Sequence, residues 1–421
     1  MRNSIIGRLA ILITVLCMST GQQVTAKKKV AHDRQVFHAV VAQDGTGDYR
    51  TVQEAVDAAP EKLTSPWRIY IKKGVYVEHV DIPETKPFLC FIGEGRGKTQ
   101  ISFDRLCGGP NGVKVDQGAT VTARATDLYF EGIDFVNSYG HEHLDGPQAL
   151  ALYTANDRVV LNRCGLLSFQ DTWLTAFGKP NLRHYSVNCL IEGAVDFIYG
   201  QGNVFFDADT LRIMRKQKGY IVAPNHHEDT QWGYVFSNNV ITAPGDAIET
   251  SVYLGRPWHG KPKVVFINTR AEVTLPPQGW FHHMGGLPAV FAEYNTTDWL
   301  GHPLDLSKRC SRYWIQNEKK DTVWCTSKAV VTADEAALYT VDNVLSGNDN
   351  WKPREITKAC ATPIVGLMGR YLTWQPVEGA VGYVVTSGNK VIAFTTECRY
   401  PANRKVKYQV RSVSKWGAVS R

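Results

Sequence analysis

The sequence predicts an all-β protein whose main part is a parallel β-helix. Short β-rich runs separated by Gly, Asn and Asp turns follow one another at roughly 20 to 30 residues across positions 37–291, which is typical of a solenoid, sandwich or barrel. Asparagines recur at the predicted corners, and turn residues that recur coil after coil favour the solenoid. These corner residues are Asn137, Asn162, Asn188, Asn238 and Asn239.

Two aspartates in matching contexts give the same indication. Asp171 and Asp196 lie 25 residues apart, and each follows a cysteine, Cys164 or Cys189, by seven residues. A repeat of this length places equivalent residues on neighbouring coils, about 4.8 Å apart. We therefore expect the two carboxyl groups roughly 5 Å apart, too close for both to ionise freely.

Two helices are predicted at the ends of the main region. Residues 49–59 carry apolar side chains at positions 52, 55, 56 and 59, the spacing of one helix face. Thr51 and Glu54 form a capping-box pattern, and Pro60 ends the helix, which would cover the open end of the solenoid. A second helical pattern spans residues 332–340.

The chain changes character after about residue 361. Alternating strand patterns at 371–376, 382–385 and 408–413 resemble a fibronectin type III module. The segment has about 60 residues, against about 100 for such sandwiches. We expect a small β-sandwich-like module over residues 361–421, serving as a spacer or a weak surface-attachment domain.

Composition and the N-terminus bear on the environment of the protein. The 421 residues suffice for one large domain and a small one, and the formal charge of +7 favours an acidic partner or reflects a solvated basic surface. Residues 1–26 show the pattern of a signal peptide, with Arg2 and Arg8 before a short apolar stretch and small residues at 24–26. The sequence predicts export to the periplasm, cell surface or medium, without a membrane span.

Eight cysteines follow the predicted signal peptide. None forms a CxxC pair, so a structural zinc site is not expected. Export permits disulfides, with Cys310–Cys325 the simplest local pair. Cys164 and Cys189 could stack as buried thiols or bond to each other.

Several chemistries lack their motif. The chain contains no Gly-x-Ser-x-Gly elbow and no P-loop, and the glycines at 93, 95 and 97 have the wrong spacing for a dinucleotide site. His141-Glu142-His143 could hold a metal or form a polar loop. The paired aspartates could serve only as turn residues, but a glutamine precedes Asp171 and an Arg-Pro-Trp turn lies at 256–258.

At these positions the chain resembles the pectin methylesterases. The resemblance covers about residues 38–355, including the opening run at 41–52, coil motifs at 73–78 and 93–95, and the closing segment at 339–353. It implies a right-handed parallel β-helix over a catalytic domain at 37–355. The central motifs are Gln148, Gln-Asp-Thr at 170–172, Val-Asp-Phe at 195–197 and Leu-Gly-Arg-Pro-Trp at 254–258.

The resemblance also implies a role for each residue. Asp196 would be the nucleophile on the methyl ester of a galacturonate unit, and Asp171 would be the general acid and then the base. Gln148 and Gln170 would hold the oxyanion, and Arg256 would orient Asp196.

For substrate binding, the resemblance implies Trp258 stacked on a sugar ring, with Phe197 and Trp173 as further contacts. The chain departs from the family pattern by having Trp173-Leu174 where Leu-Tyr is frequent, and by Ala194, Tyr199 and Gln201. These departures concern substrate preference, not the core chemistry.

Physical chemistry supports the same division of roles. A guanidinium favours an ionised Asp196, whose charge then keeps Asp171 protonated. Two amide donors can stabilise a developing oxyanion, each by about 3 kcal/mol. No metal or organic cofactor is required, and the expected partner of this secreted, monomeric protein is pectin, not nucleic acid.

Three other functions use the same fold. A catalytically silent β-helix could bind acidic polysaccharide without needing the carboxylate pair. A pectate lyase would need a calcium-binding acidic cluster, whereas the carboxyl spacing alone could fit a retaining glycosidase. The glutamines and the Arg-Pro-Trp turn decide for the esterase.

Overall fold

The computed structural model describes residues 32–176, 178–215, 217–245 and 251–421. The predicted signal peptide at 1–26 lies outside these ranges. Within them, parallel strands of successive coils stack into three long sheets, and each full coil visits sheets 1, 2 and 3 in turn. The prediction of an all-β protein built mainly from parallel sheets is confirmed.

Sheet 1 has eleven strands. They are β1 (Ala39–Val41), β2 (Trp67–Ile71), β5 (Leu89–Gly93), β8 (Leu128–Glu131), β11 (Val159–Asn162), β14 (Arg183–Val187), β17 (Asn203–Asp207), β20 (Tyr234–Ser237), β23 (Lys263–Ile267), β25 (Val290–Tyr294) and β28 (Lys328–Val330).

Sheet 2 has eight strands and sheet 3 has seven. Sheet 2 contains β3 (Gly74–Val77), β6 (Thr99–Phe103), β9 (Asp134–Asn137), β12 (Gly165–Leu167), β15 (Leu190–Gly193), β18 (Thr210–Ile213), β21 (Val240–Thr242) and β24 (Arg270–Ala271). Sheet 3 contains β4 (Val80–Ile82), β7 (Val121–Ala123), β10 (Leu152–Thr154), β13 (Trp173–Thr175), β16 (Val195–Gly200), β19 (Gln217–Pro224) and β22 (Ser251–Gly255).

Aligned side chains fill the interior of the coils. Phe206, Phe236 and Phe266 hold equivalent positions on β17, β20 and β23, and their rings stack with centroids 4.1 and 4.2 Å apart. Cys164 and Cys189 also occupy neighbouring coils, and the Cys164 amide lies 3.3 Å from the Cys189 sulfur. Both are buried free thiols, the first of the two possibilities that the sequence left open.

The corners use left-handed backbone. Asn188, Asn238, Asn268 and Asn295 all have φ between 52° and 58°, a region that asparagine tolerates better than most residues. The side chain of Asn268 donates to Asn238 and that of Asn295 donates to Asn268, at 3.3 and 2.9 Å. Of the asparagines predicted at corners, Asn188 and Asn238 adopt this conformation, whereas Asn137 and Asn162 are the last residues of strands β9 and β11.

The described residues form six helices. They are α1 (Val52–Ala58), α2 (Val115–Gly118), α3 (Ser138–His143), α4 (Ala333–Ala336), α5 (Val341–Leu345) and α6 (Pro353–Thr357). None of them is long and apolar enough to cross a membrane.

The first predicted helix is confirmed in detail. Thr51 caps α1 in a capping box with Glu54, and the helix packs against β1 and β4 at the start of the solenoid. The prediction of one helix over 332–340 is wrong in its extent. Thr332 caps the four-residue α4, and Thr340 then caps α5, so the chain turns between them.

The remaining strands are antiparallel. The hairpin strands β26 (Arg312–Gln316) and β27 (Thr322–Thr326) pair with each other. In the tail, β29 (Val365–Met368), β30 (Tyr371–Trp374) and β33 (Arg399–Pro401) form one small sheet, and β31 (Ala380–Ser387), β32 (Lys390–Thr395) and β34 (Tyr408–Ser414) form another. Trp374, Tyr383 and Val410 contribute to the apolar cluster of the tail.

The tail packs on the outer face of sheet 1. Phe394 contacts Phe37 and Tyr70 with ring centroids 5.0 and 4.9 Å apart. The buried Arg68 donates to the Lys415 carbonyl at 2.9 Å. α5 and α6 contact later strands of the same sheet. The tail therefore covers part of sheet 1, and its role as a spacer or a weak surface-attachment domain stays a prediction.

Candidate active site

The two predicted aspartates lie at the corner between sheets 2 and 3, on neighbouring coils. Asp171 follows β12 and precedes β13, and Asp196 follows β15 and lies at the start of β16. Gln170 bridges to Val195, and the Asp171 amide donates to the Val195 carbonyl at 3.1 Å. The backbone thus stacks the two positions, as the 25-residue repeat predicts.

Both aspartates have left-handed backbone. Their φ angles are +60° at Asp171 and +50° at Asp196, and the strand register shifts between Val195 and Ile198. A bulge of this kind redirects a side chain, and strained φ values persist where the surrounding structure enforces them. Asp171 and Asp196 are 8% and 7% exposed, so both residues are largely buried at this corner.

Arg256 holds Asp196 with two hydrogen bonds. The Nε and Nη2 atoms donate to Oδ1 and Oδ2 of Asp196 at 2.8 and 2.5 Å. Arg256 directly follows β22, and its amide donates to the Val222 carbonyl. Such a fork-to-carboxylate pair fixes the orientation of the carboxylate and favours its ionised form.

Different neighbouring charges act on the pKa values of the two carboxyl groups. Burial raises the pKa of Asp196, and the hydrogen bonds and charge of Arg256 oppose that rise. Burial also raises the pKa of Asp171, well above its usual value, and the charge of Asp196 raises it further; the charge of Arg256 lowers it. Since Arg256 bonds directly only to Asp196, Asp171 is the member of the pair that keeps a proton.

The two glutamines line the same row of coils. The Ala149 amide donates to the Gln170 carbonyl at 3.1 Å, which places Gln148 one coil before Gln170. Among the described residues neither side-chain amide has a hydrogen-bond partner. Glycines at positions 108 and 146 leave space for the two side-chain amides. A Cβ atom added at Gly108 would lie 1.6 Å from Gln148 Oε1, and one added at Gly146 would lie 2.7 Å from Gln170 Oε1, and both distances are too short for non-bonded atoms.

Trp258 lies on the outer face of sheet 3 beside Tyr199, with ring centroids 5.6 Å apart. Together with Tyr153 and Leu174 these residues line a cleft of about 380 Å³. A second cleft of about 440 Å³ lies on the other side of the aspartates, against Gln170 and Val195. The carboxyl pair thus has a cleft on either side of it, and we call these two clefts together the groove.

Two predicted substrate contacts are wrong. Trp173 and Phe197 are both 0% exposed and belong to the interior of the coils. Trp173 donates to the Thr154 hydroxyl at 3.0 Å and packs against Phe206. Leu174, next to Trp173, faces outward as strand alternation requires, whereas Phe197 and Ile198 both pack in the interior around the register shift in β16.

The outward-facing residues are Leu174 and Tyr199, which pair across β13 and β16, with Tyr153 beside Leu174 on β10. Strict alternation counted from Asp171 and Asp196 would place Leu174 and Tyr199 inward; the left-handed backbone at both aspartates and the register shift after Val195 reverse that phase. In the sequence, Tyr199 stands out only as a departure from the family pattern.

His141 belongs to a structural ion pair. Its Nδ1 lies 2.6 Å from Oε1 of the buried Glu192, which also contacts Arg212. His143 bonds instead to the Tyr139 carbonyl. The described residues contain no group of three or more His, Cys, Asp or Glu side chains placed to hold a metal ion.

Comparison with known proteins agrees with this geometry. Residues 38–348 match the family model described as Pectinesterase. A pectinesterase of Petunia integrifolia is 28% identical over 349 residues, which cover 80% of this chain and 87% of the relative. A putative pectinesterase/pectinesterase inhibitor of Arabidopsis thaliana is 32% identical over 327 residues, and the match spans 31% of that longer protein and 76% of this chain.

Among solved structures, the pectin methylesterase from carrot is 29% identical, with a TM-score of 0.62 over 74% of this chain and 94% of the carrot protein. A pectin methylesterase from Aspergillus niger, at 23% identity and a TM-score of 0.59, shares the fold. The family match ends before the tail at 361–421.

Proposed function

Because the chain belongs to the pectinesterase family, we propose that it hydrolyses the methyl esters of pectin to free carboxylates and methanol. The observation that carries the mechanism is the unequal carboxyl pair. Asp196 is held by Arg256 in a bidentate contact, and Asp171 lies buried beside it without such a contact.

In the first step, a carboxylate oxygen of Asp196 attacks the ester carbonyl carbon. The carbonyl electrons move to oxygen, and the amide NH₂ groups of Gln148 and Gln170 donate to that oxyanion. Asp171 gives its proton to the methoxy oxygen as the C–O bond breaks and methanol leaves. The product is an acyl-enzyme in which Asp196 is an anhydride.

In the second step, the ionised Asp171 removes a proton from a water molecule that attacks the acyl carbon. The C–O bond to Asp196 breaks, and the galacturonic acid leaves and loses its remaining proton to solvent. Asp196 regains its charge beside Arg256, and Asp171 again carries the proton. Asp171 thus serves first as the acid and then as the base. Neither reaction step requires a metal ion or an organic cofactor.

The groove on the outer face of sheet 3 supports a polysaccharide substrate. Trp258, Tyr199 and Tyr153 present aromatic surface on one side of the carboxyl pair, which suits the apolar faces of pyranose rings. We assign substrate contact to these three residues in place of Trp173 and Phe197.

The finer organisation of the chain follows the sequence. We propose a signal peptide at 1–26, a right-handed β-helix catalytic domain at 37–355 and a fibronectin type III-like sandwich at 361–421. Crossovers between parallel strands are almost always right-handed, which supports the hand of the coil. We also propose that the signal peptide directs export of the protein and that the enzyme is a monomer.

A methanol-release assay on highly methylated pectin tests the function, with and without EDTA. We expect release that EDTA leaves unchanged, and a loss of at least about 10³-fold in kcat for both Asp196→Asn and Asp171→Asn. Asp305→Asn, at an exposed loop carboxylate, is the matched control and should keep full activity. Full activity of Asp196→Asn would overturn the nucleophile assignment.

A further inference from the structure

The hairpin β26–β27 and a row of aromatic side chains that leads to it lie beyond the carboxyl pair. We propose that they bind the galacturonan chain outside the reacting unit, an inference that rests on the proposed function. We call this surface the aromatic track, and its members are Tyr220, Tyr253, Phe281, His283, Trp314 and Trp324.

The track begins in the row of residues that flanks the two aspartates. Gln170 bridges to Val195, Val195 lies opposite Tyr220, and Tyr220 lies opposite Tyr253. The guanidinium carbon of Arg256 lies 4.3 Å from the Tyr220 ring centroid. The first ring of the track therefore contacts the residue that holds Asp196.

The rings then follow one another without a break. The Tyr220 and Tyr253 centroids are 5.6 Å apart, and Phe281 lies 5.5 Å from each. His283 lies 5.2 Å from Phe281 and stacks on Trp314 at 4.3 Å with nearly parallel planes. From Tyr220 to Trp314 the row crosses three coil spacings, or roughly 14 Å.

The outer face of the hairpin completes the track. Trp314 and Trp324 are directly paired across the strands, with ring centroids 6.2 Å apart. Trp324 is 51% exposed. The flanking pairs on the same face are polar and exposed: Arg312 opposite Thr326, and Gln316 opposite Thr322.

The two faces of the hairpin have different roles. Tyr313, on the inner face, is fully buried and belongs to the core of the solenoid. The outer tryptophans, Trp314 and Trp324, do not belong to this core. Large aromatic side chains contribute most to stability when they are buried, so stability alone does not explain their position. A partly exposed aromatic row with a polar rim is typical of a binding surface.

The chemistry of the track fits an anionic polysaccharide. Aromatic rings match the apolar faces of pyranose units, and the Arg312 guanidinium, 4.7 Å from the Trp324 centroid, can pair with a uronate carboxylate. Continuity with Arg256 places this surface along the groove of the active site. We therefore assign to it the part of the substrate chain that lies outside the catalytic corner.

The test compares a long and a short substrate for the full chain and for Trp324→Ala and Trp314→Ala/Trp324→Ala. On highly methylated pectin we expect KM to rise roughly three- to tenfold with kcat unchanged, since an aromatic contact of ordinary strength is lost. On methyl-esterified trigalacturonate, which is too short to reach the hairpin, both constants should stay at the wild-type values. Trp299→Ala removes a tryptophan that is 67% exposed and outside the track, and it should change neither.

Several outcomes would overturn the proposal. They are an unchanged KM on pectin in a folded double variant, an equal loss on both substrates, and sedimentation showing that the tryptophans join two copies of the chain. Retention of the protein on immobilised polygalacturonate separates the track from the esterase activity. If wild type is retained and the double variant is not, the track stands even if no substrate releases methanol, and absence of retention in wild type removes it.

Discussion

At the scale of single residues, the two aspartates start from nearly the same situation. Both are buried at the same corner, both have positive φ, and strain of about 1–3 kcal/mol at each position must be offset by the surrounding coils. What separates them is Arg256, which bonds to Asp196 alone. The ion pair with Arg256, and not a difference in burial, therefore distinguishes the proposed nucleophile Asp196 from the proposed acid Asp171.

This difference leads to a prediction for pH dependence. Activity needs an ionised Asp196, so it falls as pH drops through the pKa of that group. It also needs a protonated Asp171, so it falls as pH rises through the raised pKa of that group, which gives a bell-shaped profile of kcat/KM. In Arg256→Gln the lowering influence on Asp196 is lost, so we expect the acidic limb to move to higher pH by about one unit or more.

Arg270→Gln, at an exposed arginine on β24, serves as the control and should keep the wild-type profile. An acidic limb that stays in place in Arg256→Gln would contradict the ion-pair argument, even if the variant has lost activity.

The oxyanion role of the glutamines gives a second prediction. Gln170→Ala should lower kcat on methylated pectin by about 10²- to 10³-fold with little change in KM, because the amide contributes mainly in the transition state. Gln409→Ala, in the tail, is the matched control. A rise in KM at constant kcat would show instead that Gln170 binds the ground state.

The residues that the sequence could identify are those with a distinctive chemical context. Asp171, Asp196 and Arg256 come together as predicted, because repeat length and parallel pairing determine their positions. Trp173 and Phe197 lie in the interior because the left-handed backbone at the aspartates and the register shift in β16 decide which side chains face outward, and the sequence motif shows neither. The aromatic track was also missed, since its rings come from separate coils at 220, 253, 281 and 314.

At the scale of elements, the solenoid strands that the sequence predicts most clearly belong to one sheet. Runs such as 67–71, 128–130 and 234–236 all became strands of sheet 1. That sheet packs on the interior with one face and on the tail and helices with the other, so most of its strands are rich in apolar residues. Sheets 2 and 3 have many strands of three or four residues, too short to show a clear pattern.

The stacked rings inside the coils give a prediction at this scale. Phe236 lies between Phe206 and Phe266, so Phe236→Ala removes two stacking contacts and leaves a cavity. We expect the free energy of unfolding to fall by about 3–5 kcal/mol, measured by denaturant titration, with kcat on methylated pectin retained in the folded fraction. Phe236→Leu, which keeps most of the volume, should cost less; equal stability of all three proteins would contradict the packing argument.

At the scale of the whole molecule, the tail and the proposed active site lie on different sheets of the solenoid. The groove, Asp171 and Asp196 lie at the corner of sheets 2 and 3, whereas the tail and the closing helices lie on sheet 1. The sequence predicted the strands of the tail, but not its docking. Docking depends on which outward side chains of sheet 1 are apolar, and that follows only from strand register.

The position of the tail leads to the last prediction. Deleting residues 361–421 would expose Tyr70, Ile92 and Tyr129, which pack in one cluster with Val384, Phe394 and Val413 of the tail. We expect the shortened protein to have a lower Tm and to aggregate on warming, because an apolar face of sheet 1 becomes solvent-exposed. Below that temperature its kcat on soluble pectin should equal that of the full chain, since the tail packs on a different sheet from the groove.

Phe394→Ala tests the same contact within the full chain. It removes the ring that contacts Phe37 and Tyr70, and we expect a loss of about 3–5 kcal/mol in the stability of the docked state without change in kcat. Ile364→Ala, at a tail residue that is 93% exposed, is the control. An unchanged Tm after deletion of the tail would return it to the role of a spacer, and a loss of kcat in folded Phe394→Ala would show that the cover and the groove are coupled through the coils.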